Sequence, residues 1–186
     1  MDSSGLLKEA QLLFVDGKDK ESIEAFTKAI NAGAEPYIAF LNRGAAHLKL
    51  KEGDEAIKDF DKAIKTNSKS ARAYFFRGMS YMLKNDFEKA VEDFTKALEL
   101  KTDYGMAKFA RSAAYARFDK ADEAAKDLME VLPQMEVNLQ SFSDTYGIIR
   151  TEMGKVFGQI SGERLWPTLT LGKKEIDTLK KWLSEE

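Results

Sequence analysis

Several kinds of functional site are missing from the sequence of 186 residues, which contains no cysteine and one histidine. Without cysteine there is no disulfide framework and no cysteine-ligated zinc site. With no cysteine and a single histidine, the sequence offers almost no residues for a nucleophilic site of the Ser/His or Cys/His type. Phosphate-binding loops of the GxxxxGK[ST] and GxGxxG types are also absent. We therefore expect a protein that is not an enzyme and uses no metal or other cofactor.

The sequence also has no large excess of charge of one sign and no long apolar run. There are 29 Lys and Arg residues against 31 Asp and Glu residues, a net charge of -2. This balance argues against a nucleic-acid partner. No stretch reaches the roughly 18 consecutive apolar residues of a membrane-spanning helix, so we expect no membrane insertion. No secretory signal is visible, so a cytoplasmic location is the default, and a mature periplasmic form would look the same.

What the chain does contain is an internal period of 34 residues. Gly44, Gly78 and Ser112 succeed one another at this spacing. Ala10 lies 34 residues before Gly44. Three further columns keep the same register: Ser22, Ala56, Ala90 and Ala124; Phe26, Phe60, Phe94 and Leu128; and Ala29, Ala63, Ala97 and Val131. Because the register holds through four copies, the period indicates a repeated structural unit.

Each unit is predicted to form two short helices. In the third unit, Gly78 and Tyr81 lie on one face of a first helix, and Asn85 and Asp86 are turn residues. The residues that follow recur at the spacing of an amphipathic helix: Ala90, Val91, Phe94, Ala97 and Leu98. A single unit cannot bury its apolar face alone, so neighbouring units are expected to stack.

A 34-residue helix–turn–helix with these small, Ala, Phe and Ala columns resembles the tetratricopeptide repeat. The resemblance covers residues 3–36, 37–70, 71–104 and 105–138. It implies an all-α, right-handed superhelical solenoid of helix–turn–helix repeats. For residues 139–186 we expect a capping helix, a connector containing Gly and Pro, and a terminal helix.

The resemblance also implies a function, because stacked repeats of this family expose their first helices on a concave face. It predicts a scaffold or adaptor that binds a peptide or helix of a partner protein, whose identity the sequence does not give. The register places eleven candidate residues in this groove: Leu7, Gln11, Leu41, Asn42, Arg72, Phe75, Phe76, Met79, Met106, Phe109 and Arg117. Exposed apolar residues would supply the affinity, with Phe75 and Phe109 as anchors.

An alternative within the family is a co-chaperone-like module that reads a C-terminal carboxylate. Related domains of Hsp70 and Hsp90 co-chaperones use a clamp of Lys, Asn and Arg residues. Here Asn42 keeps its clamp position, Arg72 replaces a Lys, and Gln11 replaces an Asn. Leu7 and Phe76 stand where the clamp has Lys and Arg, so the clamp is incomplete.

Residues 139–186 leave further alternatives open. The tail can pack against the repeats, occupy the groove in competition with a ligand, or pair two chains. The function therefore includes, as an alternative, a self-associating or autoinhibited scaffold that uses this tail.

Two sets of polar residues are expected to be structural. His47 falls in the column of Tyr81 and Tyr115, which predicts a half-buried packing residue. Three arginines also recur at the repeat period: Arg43, Arg77 and Arg111. We expect them to bond neighbouring units or turn carbonyls, with an anion-binding ladder as the alternative. Acidic residues such as Asp59 and Asp61 are expected on solvent faces.

Overall fold

The computed structural model describes residues 2–117 and 120–131. These residues form eight α-helices and no strand: α1 Ser3–Val15, α2 Asp19–Asn31, α3 Pro36–Lys49, α4 Gly53–Thr66, α5 Ala71–Leu83, α6 Phe87–Leu100, α7 Gly105–Arg117 and α8 Ala121–Val131. The predicted all-α fold of helix–turn–helix units is confirmed. The predicted capping and terminal helices of residues 139–186 lie outside the described residues.

The chain divides into two compact units, Met1–Thr102 and Asp103–Glu186. In the first unit, α1 packs on α2, α3 on α4 and α5 on α6, so each pair is a helical hairpin. The hairpins stack in chain order, because α2 also packs on α3 and α4 on α5. Contacts of α3 with α1 and with α5 place the three first helices side by side. In the second unit, α7 packs on α8.

The turns inside the first three hairpins share one backbone feature, a residue with a positive φ angle. Gly17, Lys51 and Asn85 follow α1, α3 and α5 and have positive φ angles of 74°, 62° and 60°. After α3, the Glu52 N–H donates to the carbonyl oxygen of His47 at 2.9 Å, which closes the helix end. The left-handed residue ends the first helix and reverses the chain, so the second helix starts within a few residues.

At Gly44 and Gly78, the column of small residues allows α3 and α5 to touch a phenylalanine ring of the partner helix. A Cβ atom built on Gly44 would lie 2.8 Å from Cε1 of Phe60. One built on Gly78 would lie 2.7 Å from Cε1 of Phe94. Both rings are fully buried, so they have no room to withdraw. The glycines therefore set how closely the helices of the second and third hairpins approach.

We expect Gly78→Ala to lower the free energy of unfolding by about 1 to 3 kcal/mol, because the added methyl group overpacks Phe94. Alanine has the better helix propensity, and this gain opposes only part of the cost. Gly53→Ala is the matched control, since its Cβ would meet mainly the flexible side chain of Lys84, with Cγ at 3.1 Å. Urea unfolding followed by circular dichroism measures both; equal effects would contradict the packing argument.

Candidate functional site

Five of the predicted groove residues are buried, and their expected exposure has to be corrected. They are Leu41 (3% exposed), Phe75 (0%), Phe76 (6%), Met79 (1%) and Phe109 (1%). In the described chain these side chains belong to the hydrophobic core. The predicted anchors Phe75 and Phe109 are both in this set.

Aromatic packing explains the burial on α5. The ring of Phe75 lies 5.8 Å from that of Phe94, on the second helix of the same hairpin. The ring of Phe76 stacks on Phe60 of the preceding hairpin, also at 5.8 Å. The two neighbouring rings lie 5.4 Å apart and tilted. Phe75 and Phe76 therefore join successive hairpins, and α5 presents other residues to solvent.

The remaining groove candidates keep access to solvent. Arg72 is exposed on α5, while Asn42 on α3 and Leu7 and Gln11 on α1 are half-buried. The guanidinium carbon of Arg72 lies 5.4 Å above the ring of Phe76, so the side chain rests on an aromatic platform. Two more candidates lie on α7: Met106, which is exposed, and Arg117, which is half-buried. They belong to the second compact unit, so the candidate site is confined to α1, α3 and α5.

The first helices carry cations and almost no carboxylates. The sequences of α3 and α5 contain no Asp or Glu, and that of α1 contains only Glu9. Lys8, Lys49 and Arg72 are exposed on α1, α3 and α5, at repeat positions that lie along one helical face. We call this side of α1, α3 and α5 the first-helix face. Its local charge is positive although the net charge of the chain is -2.

Lys49 is partly neutralised by the preceding hairpin. Its Nζ atom donates to Oδ1 of Asp19 at 2.7 Å and lies 4.6 Å from the centre of the Phe14 ring. Arg72 on α5 and Lys8 on α1 are therefore the other two exposed cations of this face.

The repeated arginines are held by buried carboxylates sixteen residues later. Nε and Nη2 of Arg43 donate to the two oxygens of Asp59, both at 2.7 Å. Arg77 binds Asp93 in the same way, at 2.8 and 2.7 Å. Arg111 binds Asp127 at 2.6 and 2.7 Å. All three aspartates are buried, so the expectation of a solvent-facing Asp59 was wrong. The aspartates share the 34-residue period of the arginines, so the sequence also carries a signal for these pairs.

Two of these arginines also reach back to the preceding hairpin. Nη1 of Arg43 donates to Oγ1 of Thr27 on α2 at 2.8 Å. Nη1 of Arg77 donates to Oδ1 of Asp61 on α4 at 2.6 Å. Hydrogen bonds to Asp93 and Asp61 outweigh burial and raise the pKa of Arg77, which keeps its charge. The predicted structural role, bonding of neighbouring units, is confirmed for these two residues.

His47 is half-buried, as predicted from its column. Its Nδ1 atom lies 2.7 Å from Oε2 of Glu52, in the turn that follows α3. Its Nε2 atom lies 4.0 Å from Oδ2 of Asp59. The imidazole ring therefore ties the end of α3 to the second helix of its hairpin.

Comparisons with known proteins agree with this geometry. Residues 37–70 and 71–104 match the family model of the tetratricopeptide repeat. These two segments are tetratricopeptide repeats. A comparison with curated proteins gave no match. The two repeats contribute α3 to α6, which includes the central part of the first-helix face.

Solved tetratricopeptide structures resemble the chain. The segment of MamA from residue 41 to the end, from Desulfovibrio magneticus RS-1, is 22% identical, with a TM-score of 0.69 over 75% of this chain and 78% of that chain. A tetratricopeptide repeat protein from Parabacteroides merdae is 17% identical, with a TM-score of 0.67 over 98% and 84%. The first such domain of Spaghetti (RPAP3), bound to the HSP90 peptide SRMEEVD, is 26% identical, with a TM-score of 0.60 over 63% and 94%.

The family assignment supports an interaction scaffold, because tetratricopeptide repeats generally act as non-catalytic interaction modules. None of the helices in residues 2–117 and 120–131 is long and apolar enough to cross a membrane. The predicted alternatives for the tail concern residues 139–186, which lie outside the described part of the chain.

Removing the buried partner of Arg77 should destabilise the protein far more than removing its exposed partner. We expect Asp93→Ala to cost about 3 kcal/mol, because it leaves a partly buried guanidinium without its bidentate carboxylate. Asp61→Ala should cost less than about 1 kcal/mol, since that carboxylate is largely exposed. Chemical unfolding of both variants measures the difference. Similar losses would mean that burial does not set the strength of this network.

Truncation of Phe75 tests whether this residue is core or ligand anchor. We expect Phe75→Ala to lower the free energy of unfolding by about 3 to 5 kcal/mol, the usual cost of deleting a buried ring. Arg72→Ala, one turn earlier on the same helix, should change it by less than about 0.5 kcal/mol. Thermal and urea unfolding measure both variants. If Phe75→Ala is as stable as the wild type, Phe75 is not a core residue and is again a candidate ligand anchor.

Proposed function

We propose that the chain is a non-catalytic adaptor whose first-helix face binds an extended, acidic peptide of a partner protein. The observation that carries the proposal is the charge of this face. It presents Lys8, Lys49 and Arg72 to solvent, and α3 and α5 contribute no carboxylate. Asp19 of α2 neutralises part of the charge of Lys49, and Arg72 and Lys8 remain as exposed cations. A surface with an excess of cations attracts acidic ligands and disfavours basic ones.

The polar side chains on this face suit a peptide ligand. Arg72 can bind a carboxylate through two parallel hydrogen bonds, and its aromatic platform restricts the orientation of the guanidinium. Asn42 and Gln11 are half-buried amides on the neighbouring first helices. Their side chains can donate to and accept from the peptide backbone, which an extended ligand leaves unpaired. Arg72 would then select charge, and the amides would fix the path of the peptide.

A structural neighbour supports this ligand class. The RPAP3 domain, 26% identical to this chain, is seen with the HSP90 peptide SRMEEVD, which contains two Glu residues and one Asp. The similarity of fold and the positive first-helix face together make an acidic peptide the ligand that we propose here.

A second candidate is the co-chaperone-like recognition of a C-terminal carboxylate. It is favoured by the positions of Gln11, Asn42 and Arg72, which coincide with three positions of the family clamp. It is weakened at two others, since Leu7 carries no charge and Phe76 is packed on Phe60. We therefore expect acidic side chains of the ligand to contribute more than its terminal carboxylate.

The proposal predicts that reversing the charge of Arg72 weakens peptide binding. Labelled acidic peptides, with SRMEEVD as the first probe, are titrated with the protein and followed by fluorescence anisotropy. We expect Arg72→Glu to raise Kd by at least about tenfold, because one charge-assisted contact becomes repulsive. Lys58→Glu on α4 is the matched control, an equal charge change at an exposed site on a second helix. It should leave Kd within about twofold.

Modified peptides separate the two candidates. Replacing Glu and Asp of the peptide by Gln and Asn should abolish binding under the main proposal, while C-terminal amidation should have little effect. The opposite pattern would favour the carboxylate clamp. If no acidic peptide binds, or if Arg72→Glu binds as well as the wild type, the first-helix face is not the site.

A further inference from the structure

One repeat position crosses the first-helix face as a row of side chains. Lys8, Asn42 and Phe76 are 34 residues apart, on α1, α3 and α5. Because these three helices lie side by side and the period has no gap, equivalent residues form a line across them. Lys8 is exposed and Asn42 is half-buried. The row therefore begins with a cation on α1 and continues with an amide on α3.

On α5 the row ends in a second cation, although Phe76 itself is apolar. The guanidinium carbon of Arg72 lies 5.4 Å above the ring of Phe76, one helical turn from the position of Arg72 in the sequence. Phe76 is buried and Arg72 is exposed, so the guanidinium is the polar group at this end of the row. We call Lys8, Asn42 and Arg72 the polar row.

Lys49, the third exposed cation of the first-helix face, lies outside the polar row. On α3 it follows Asn42 by about two helical turns. Its Nζ atom already donates to Oδ1 of Asp19 on α2. A ligand that follows the row across the helices therefore meets Lys8 at one end and Arg72 at the other.

The separation of these two cations sets the spacing of acidic groups that a ligand needs. Packed helices lie about 8 to 10 Å apart, and α3 separates α1 from α5, so the ends of the row are roughly 16 to 20 Å apart. An extended peptide advances about 3.3 Å per residue, and every second side chain points to the same face. Two acidic side chains about six residues apart therefore match the row, whereas two adjacent ones reach one cation.

We propose that the first-helix face selects extended peptides that carry two acidic side chains about six residues apart. One carboxylate binds Arg72 and the other binds Lys8, and the amide of Asn42 contacts the peptide backbone between them. This selectivity rests on the proposed binding of an acidic peptide and adds the spacing of its acidic residues. In SRMEEVD, the peptide bound to the RPAP3 domain, the acidic residues lie close together, so this peptide matches one end of the row.

Two peptides of equal length and charge test the spacing. Both have blocked ends and two Glu residues in a background of Ser, Ala and Gln, with the Glu residues either about six residues apart or adjacent. Binding is followed by fluorescence anisotropy. We expect the wild type to bind the spaced peptide about fivefold more tightly, because the second exposed ion pair forms with that peptide alone.

Substitution of Lys8 tests whether this lysine supplies the second contact. Lys8→Gln should remove the preference for the spaced peptide and leave the Kd of the adjacent-Glu peptide within about twofold. Lys20→Gln is the matched control, because Lys20 is an exposed lysine on α2, outside the first-helix face, and it should keep the preference. Circular dichroism checks that both variants are folded, which we expect because both side chains are exposed.

Two results would overturn the spacing and leave the proposed function in place. The first is equal affinity of the wild type for both peptides while Arg72→Glu still weakens binding. The second is a preference for the spaced peptide that survives Lys8→Gln, since another group would then bind the second carboxylate. If neither peptide binds and SRMEEVD does not bind either, the proposed function fails and the spacing fails with it.

Discussion

The close contact between a glycine backbone and a phenylalanine ring sets the spacing on which the central repeats depend. At Gly44 and Gly78 there is no space for a Cβ atom, because the buried rings of Phe60 and Phe94 lie against the backbone. This spacing brings the two helices of a hairpin close enough for an arginine of the first to reach an aspartate of the second. In both hairpins the arginine–aspartate pair directly adjoins the glycine–ring contact in the sequence.

The arginines of these arginine–aspartate pairs also connect each hairpin to the preceding one. A buried carboxylate is costly unless its hydrogen bonds are satisfied, and Asp59 and Asp93 each receive two from a guanidinium. The third guanidinium nitrogen then bonds the preceding second helix. The stack is therefore held by directional hydrogen bonds as well as by buried apolar surface. The hydrogen bonds specify the register between hairpins.

The placement of arginines on first helices and of aspartates on second helices explains the charge of the first-helix face. The acidic residues that neutralise the arginines lie on the second helices, and α3 and α5 carry none themselves. The exposed Arg72, on another side of α5, is consequently left for the acidic peptide that we propose. The same helices use their aromatic residues for stacking, so the affinity of the proposed site rests on polar groups more than on apolar anchors.

The sequence by itself determined the 34-residue period, the helix pairs and the column of small residues. These are local patterns, in which a residue's role follows from its spacing along one helix. Only the tertiary structure decided that Phe75 and Phe76 are core while Arg72 is exposed, and that Asp59 is buried. Spacing gives the direction in which a side chain leaves its helix. How far neighbouring helices cover that direction depends on side chains that lie on other helices, such as Phe60 against Phe76 and Phe94 against Phe75. It also depends on the polar partners that packing brings within reach.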